Sequence, residues 1–238
     1  MKTVVIAEIG ENHYGRWDVC RGLVEEAAAN GATIAKFQTY TANQFGSDHK
    51  WFDWFRGVEM PEEVHFEMQQ LCGELGLTFL SSTFTRRSTD FLVDRMGLRA
   101  LKLASSRIVD IELLEHVNAR AEQVDTVYLS TGGSTIEEIQ RAVECLGAIE
   151  TLSLLHCVSQ YPTEDHNVNQ LAIRAMQSAF PEIPIGYSDH SRGIEACLAA
   201  VAMGAEVLEK HFTYHVRMPG DDHEGALTPE TLGELVRG

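Results

Sequence analysis

The chain has 238 residues, 44% of them hydrophobic, and carries 35 Asp and Glu against 19 Lys and Arg, a formal net charge of −16. That charge argues against nucleic acid or an anionic membrane surface as partner. No apolar run reaches the roughly 20 residues of a membrane span. The five cysteines are odd in number, scattered and free of C-x-x-C pairs, which fits reduced thiols in a cytoplasmic protein.

The first segment, VVIAEIG (4–10), reads as a strand rather than part of a signal peptide, because acidic Glu8 interrupts the apolar run and no small-residue cleavage pattern follows. Seven more β-rich runs follow: TIAKFQT (33–39), TFLSST (78–83), ALKLASS (100–106), VYLSTGG (127–133), TLSLLHCV (151–158), IPIGYSD (183–189) and EVLEKHFT (206–213). Between them lie amphipathic segments such as DVCRGLVEEAAANG and TIEEIQRAVECLG. The second has Ser134 or Thr135 as its N-cap, and both end at glycine. Eight alternating βα units in this length predict an α/β fold, a single (β/α)8 TIM barrel spanning residues 1–238. A doubly wound open sheet is the structural alternative, but there is no G-x-G-x-x-G turn. The one long connection, residues 40–60, carries Trp51, Phe52, Trp54 and Phe55 and is placed to cover the barrel mouth.

In such a barrel, function sits at the C-terminal strand ends. Those ends here hold Glu8, Lys36 with Gln38, Ser82, Lys102 with Ser105, Ser130 with Thr131, His156, Ser188 with His190, and Glu209 with His211. Of only five lysines, three lie inside apolar strands, where an unpaired ammonium is costly. Period-two alternation turns Lys36 and Lys102 into the barrel and Lys210 outward, toward a structural salt bridge under the helices. Two inward lysines among serine hydroxyls suit an anion such as phosphate or carboxylate; internal ion pairs with Glu8 and Glu209 are the alternative.

His211 and His215 have the four-residue spacing of a helical metal site, but His211 belongs to a strand. Four residues of strand advance about 13 Å, and Met218-Pro219-Gly220 marks a turn. The partner expected for His211 is His190, at the end of the adjacent strand, and the two would bind a divalent metal. His156 is read as a core or supporting residue and His13 as a rim residue able to touch substrate. His49, His65, His116 and His166 are expected in solvent.

With these residues assembled, the chain resembles the sialic acid synthase (N-acetylneuraminate synthase) family through AEIGENHYG, AKFQTY, FLSSTF, LKLASS, LSTGG, LLHCVSQYPT, IGYSDHSRGIEA, LEKHFT and PGDDH. The resemblance implies condensation of phosphoenolpyruvate with an open-chain amino sugar, such as N-acetylmannosamine or its 6-phosphate. The product is a 2-keto-3-deoxy acid. Carried over by motif, Lys36, Gln38, Ser82, Lys102, Ser105, Ser130, Ser159, Tyr161 and Ser188 would bind substrate. His190 and His211 would hold Mn2+ or Mg2+, and Glu8, Glu209 and Asp222 would move protons and orient sugar and water. The family often has asparagine where this chain has Ser159. Its members usually continue into an antifreeze-like domain, which is not expected within these 238 residues, nor is the plugging N-terminal strand of relatives. A homodimer is expected. A Schiff-base aldolase using Lys36 or Lys102 and a non-catalytic sugar-binding protein are the competing functions.

Overall fold

The computed structural model describes residues 3–238. Eight parallel strands close into a barrel in sequence order: β1 (Val4–Glu8), β2 (Ile34–Thr39), β3 (Thr78–Thr83), β4 (Ala100–Leu103), β5 (Thr126–Ser130), β6 (Thr151–Cys157), β7 (Ile185–Asp189) and β8 (Val207–His211). The outer layer comprises α1 (Trp17–Ala29), α3 (Glu62–Glu74), α4 (Arg86–Asp90), α5 (Ile111–Asn118), α6 (Ile136–Cys145), α7 (Leu171–Ala179), α8 (Glu195–Ala202) and α9 (Pro229–Arg237), while α2 (Phe52–Val58) lies in the long connection after β2. The expected barrel is the observed one. Among the described residues no helix is long and apolar enough to cross a membrane.

Sequence explains where the helices begin and end. Thr135 caps α6 through a reciprocal pair with Glu138, accepting from the Glu138 amide at 3.2 Å while Thr135 N donates to the Glu138 carboxylate at 2.8 Å. Helix α1 closes at Asn30 before Gly31, whose φ of +88° favours glycine. Five of the strands stop earlier than their β-rich runs, whereas β2, β3 and β7 end where the runs do. ALKLASS leaves the sheet after Leu103, and Ser105–Arg107 form a single 3-10 turn. The Ser105–Ser106 and Thr131–Gly133 ends of two runs are therefore loop, whereas Ser81, Ser82 and Thr83 stay in β3.

Alternation along the strands divides the core in two. Outward side chains such as Ala7, Phe37, Leu101, Val127 and Leu154 pack beneath the helices. Inward, Ile6, Ile34, Leu80, Leu155 and Val207 form a compact apolar layer low in the barrel. Gly186 is required beside it, since a Cβ there would approach Leu155 Cδ2 to 2.5 Å and the Val207 carbonyl oxygen to 2.6 Å. Above this layer, two positions further along the strands, the inward residues turn polar: Glu8, Lys36, Ser82 and Glu209.

Lys210 faces outward as its parity requires. It is 2% exposed, pairs with the Asp189 carboxylate of β7 and donates to the Ser191 carbonyl at 2.6 Å. Tyr187 donates to the same carboxylate at 2.9 Å. Burial alone would raise the Asp189 pKa, but Lys210 outweighs it and holds the carboxyl below its usual range.

Candidate active site

The polar layer opens into a cavity of about 710 Å³ at the C-terminal end of the barrel, within the size range of small-molecule sites. Its floor is built by strand register. Glu8 stands level with Lys36 on β2 and with His211 on β8, Ser82 with Lys102, and Ser188 with Glu209.

Lys36 Nζ lies 2.7 Å from Glu8 Oε2, 3.7 Å from Glu209 Oε1 and 3.2 Å from Ser82 Oγ. Lys102 Nζ donates to Ser130 Oγ at 2.7 Å and to the Leu103 carbonyl at 3.0 Å, and lies 3.8 Å from Glu209 Oε1. Gln38 donates to Glu8 Oε1 at 3.0 Å, and Ser188 to Glu209 Oε1 at 3.2 Å. The internal ion pairs thus exist, and both lysines also line the cavity.

The charges are unevenly matched. Burial pushes the Glu8 carboxyl up to about 7 despite Lys36. Burial would also raise Glu209, yet Lys102 and Lys36 hold it below its usual range. Lys36 is raised because Glu209 and Glu8 overcome its desolvation, whereas burial leaves Lys102 lowered. One carboxyl on this floor is therefore suited to exchange a proton near neutrality, and the other to stay ionised.

On the β7–β8 side of the cavity the His190 and His211 rings lie 5.5 Å apart, and Tyr161 packs 3.9 Å from His190. His190 Nδ1–H donates to the Val158 carbonyl at 2.7 Å, which leaves Nε2 as the free lone pair. His211 Nδ1 is buried without a hydrogen-bond partner, 3.6 Å from Asp222 Oδ2. Burial keeps both imidazoles neutral, lowering His190 to about 4 and His211 to about 3, and it raises Asp222 to about 6. Two neutral imidazoles, one with an orphaned nitrogen, form a donor set that fits a divalent cation. Among the described residues no three His, Cys, Asp or Glu groups are arranged to enclose an ion, so remaining ligands would come from substrate or water. His215 is exposed beyond the strand end.

Ser105, Ser159 and Tyr161 complete the lining. A Cβ on residue 132 would come within 2.6 Å of Ser159 Oγ and 2.9 Å of Ser105 Oγ, so Gly132 keeps that corner open. All the substrate, proton-transfer and metal residues expected from sequence line this one cavity. Thr131 does not, because its hydroxyl turns back to the Leu155 carbonyl.

Three expectations are corrected. His13 is buried against Trp17 and accepts from the Gly15 amide, away from the cavity lining. His65 is 2% exposed, bonded to Thr39 Oγ1 at 2.8 Å and to the Pro61 carbonyl at 2.9 Å, so it is a buried link between α3 and β2. His116 is half-buried on α5 and bonded to Asp90 at 2.7 Å. His156 is a core residue, bonded to the Val168 carbonyl and stacked on Tyr187.

Glu11 and His223 carry no role in the sequence reading, although both lie in blocks that bear the resemblance. Glu11 lines the cavity with its carboxylate held between Tyr40 Oη at 2.6 Å and Trp54 Nε1 at 2.5 Å. His223 is stacked on Tyr14 and bonded to Tyr14 Oη at 2.6 Å and Thr213 Oγ1 at 2.8 Å, which ties down the loop bearing Asp222.

The pattern of the NeuB family matches residues 23–238. An uncharacterized protein of Methanocaldococcus jannaschii is 40% identical over 237 residues, covering 98% of this chain and 69% of that protein. The N,N'-diacetyllegionaminic acid synthase of Legionella pneumophila is 33% identical over 258 residues, covering 100% and 71%. Human N-acetylneuraminate-9-phosphate synthase is 32% identical over 248 residues, covering 98% and 68%. The N-acetylneuraminic acid (sialic acid) synthetase of Leptospira borgpetersenii, solved with citrate, superposes with a TM-score of 0.94 at 34% identity, over 100% of this chain and 82% of that one. A match that runs to the last residue, on a barrel superposing this closely, makes the chain a member of the NeuB family.

Proposed function

We propose that this barrel condenses phosphoenolpyruvate with an open-chain amino sugar and water, forming a 2-keto-3-deoxy sugar acid and inorganic phosphate. The observation that carries the reading is one cavity with two buried lysines on its floor and two neutral imidazoles on its wall. The synthase names of the relatives support the same reaction class.

In this reading Lys36 and Lys102, with Ser82, Ser105, Ser130 and Ser188, hold the phosphate and carboxylate by charge-assisted hydrogen bonds. His190 and His211 would hold a divalent cation, Mn2+ or Mg2+, which would polarise the sugar aldehyde. The enol C3 attacks the aldehyde carbon, leaving positive charge at C2. Water adds there, and the tetrahedral intermediate expels phosphate. Glu209, held ionised by both lysines, stabilises the developing cation. Glu8 and Asp222, raised to about 7 and 6, exchange protons with the water and the new hydroxyl. Tyr161 completes the phosphoenolpyruvate side, and Ser159 lines the cavity beside both substrates.

The test is to assay phosphate release from phosphoenolpyruvate with N-acetylmannosamine, before and after chelation and after borohydride treatment. Loss on chelation and restoration by manganese are expected, with no borohydride sensitivity. Covalent trapping of Lys36 or Lys102 would instead establish the Schiff-base aldolase.

A further inference from the structure

Resting on that synthase reading, the cavity also bears on which acceptors it takes. Phosphoenolpyruvate is anchored on the lysine floor, and the apolar layer of Ile6, Ile34, Leu80, Leu155 and Val207 lies beneath it. The far end of an aldose must therefore extend outward past the rim. That rim is aromatic and acidic. Trp51, Trp54 and Phe55 line one side, and Glu11, Asp221 and Asp222 supply carboxylates. Among the described residues Lys36 and Lys102 are the only lysines in the lining, and no arginine reaches it.

Lys50 and Arg56, on the same connection as the tryptophans, are exposed and outside the lining. The Lys50 ammonium sits 5.3 Å from the Trp51 ring centroid. Glu11 has both oxygens committed to Tyr40 and Trp54, so it cannot swing away from an incoming anion without breaking that clamp.

We infer that the acceptor is an aldose with an uncharged distal end, its apolar substituents packed on the Trp51–Phe55 wall, and that terminal phosphate esters are rejected. A phosphate dianion at the rim would meet like charge with no lysine or arginine of the described lining above the Lys36–Lys102 floor to pair with it, and like-charge contact is strongly discriminating. The relatives themselves span both product types by name, a diacetylated acid and a 9-phosphate.

The test compares kcat/KM for N-acetylmannosamine and for its 6-phosphate in the same assay, at low and high salt. The free sugar should be preferred about tenfold or more, with the gap narrowing as salt screens the rim. Asp221→Lys should raise relative use of the ester at least about fivefold, and Lys50→Ala should leave the wild-type ratio unchanged. Equal or preferred use of the ester overturns the inference while leaving the synthase reading intact. A ratio that falls in Lys50→Ala would make Lys50 a phosphate clamp and overturn it too. Turnover of neither sugar withdraws the synthase reading, and the inference with it.

Discussion

The Lys36 ammonium stands 2.7 Å from Glu8 Oε2, across level positions of β1 and β2. Lys36, Glu8 and Glu209 together bury one cation between two acids, with Lys102 3.8 Å from Glu209. Such a network is strongly destabilised when one partner is removed, yet this one faces an open cavity. Under the proposed function it is a binding floor that is partly neutralised until an anion arrives.

Lys36→Met and Lys102→Met should each weaken phosphoenolpyruvate binding by roughly 1.5–3 kcal/mol, about 10- to 150-fold in Kd, because each removes charge-assisted hydrogen bonds. Lys210→Met should leave that affinity unchanged and destabilise the fold by about 3–5 kcal/mol, since it strands buried Asp189. Calorimetry and urea unfolding separate the effects. Unchanged affinity in both inward variants would remove those lysines from the site.

His211→Ala should abolish saturable manganese binding, while His215→Ala should bind as wild type. The motivation is the pairing of His211 with His190 across adjacent strands and the exposed position of His215. Titration followed by electron paramagnetic resonance measures both. Equal loss would revive the four-residue spacing as the ligand pair.

Burial lowers His223 from its usual 6.5 to about 4, so the unfolded chain binds the extra proton between these values. The stability this imidazole contributes is complete above about pH 6.5 and is lost as pH falls toward 4, at about 1.4 kcal/mol per pH unit. Urea unfolding between pH 6 and 5 should show a slope flatter by about that amount in His223→Gln. An identical slope would mean that His223 protonates freely in the fold.

Trp54→Phe keeps a ring on the cavity wall but removes the donor to Glu11. The acceptor KM should rise several-fold, consistent with loss of one hydrogen bond to a charged group, with phosphoenolpyruvate affinity unaffected. If only thermal stability falls, residues 40–60 pack on the barrel without covering substrate.

The barrel and its floor were legible because strand parity is a strict rule. One residue of offset separates Lys210, which meets Asp189 under the helices, from Glu209 and His211, which meet the cavity. His190 and His211 could be paired because consecutive strands are neighbours in this fold. Polar residues on helices and rim loops follow no such rule. His65 looked solvated on α3, yet a tertiary bond to Thr39 buries it. Glu11 depends on Tyr40 and Trp54, which a remote loop returns to the rim. The ends of β4 and β5 were overread because serine, threonine and glycine at the C-terminal rim continue a β-like composition after the ladder has ended.

The central claim is that phosphate release and carbon–carbon bond formation are one reaction in this cavity. Purified protein should be incubated with manganese, phosphoenolpyruvate labelled with ¹³C at C3, and N-acetylmannosamine. Phosphate and the sugar acid are then quantified together by NMR. The account predicts equal amounts of phosphate and of a 2-keto-3-deoxy acid whose C3 carries the label bonded to the former aldehyde carbon. Phosphate accompanied only by labelled pyruvate would contradict it.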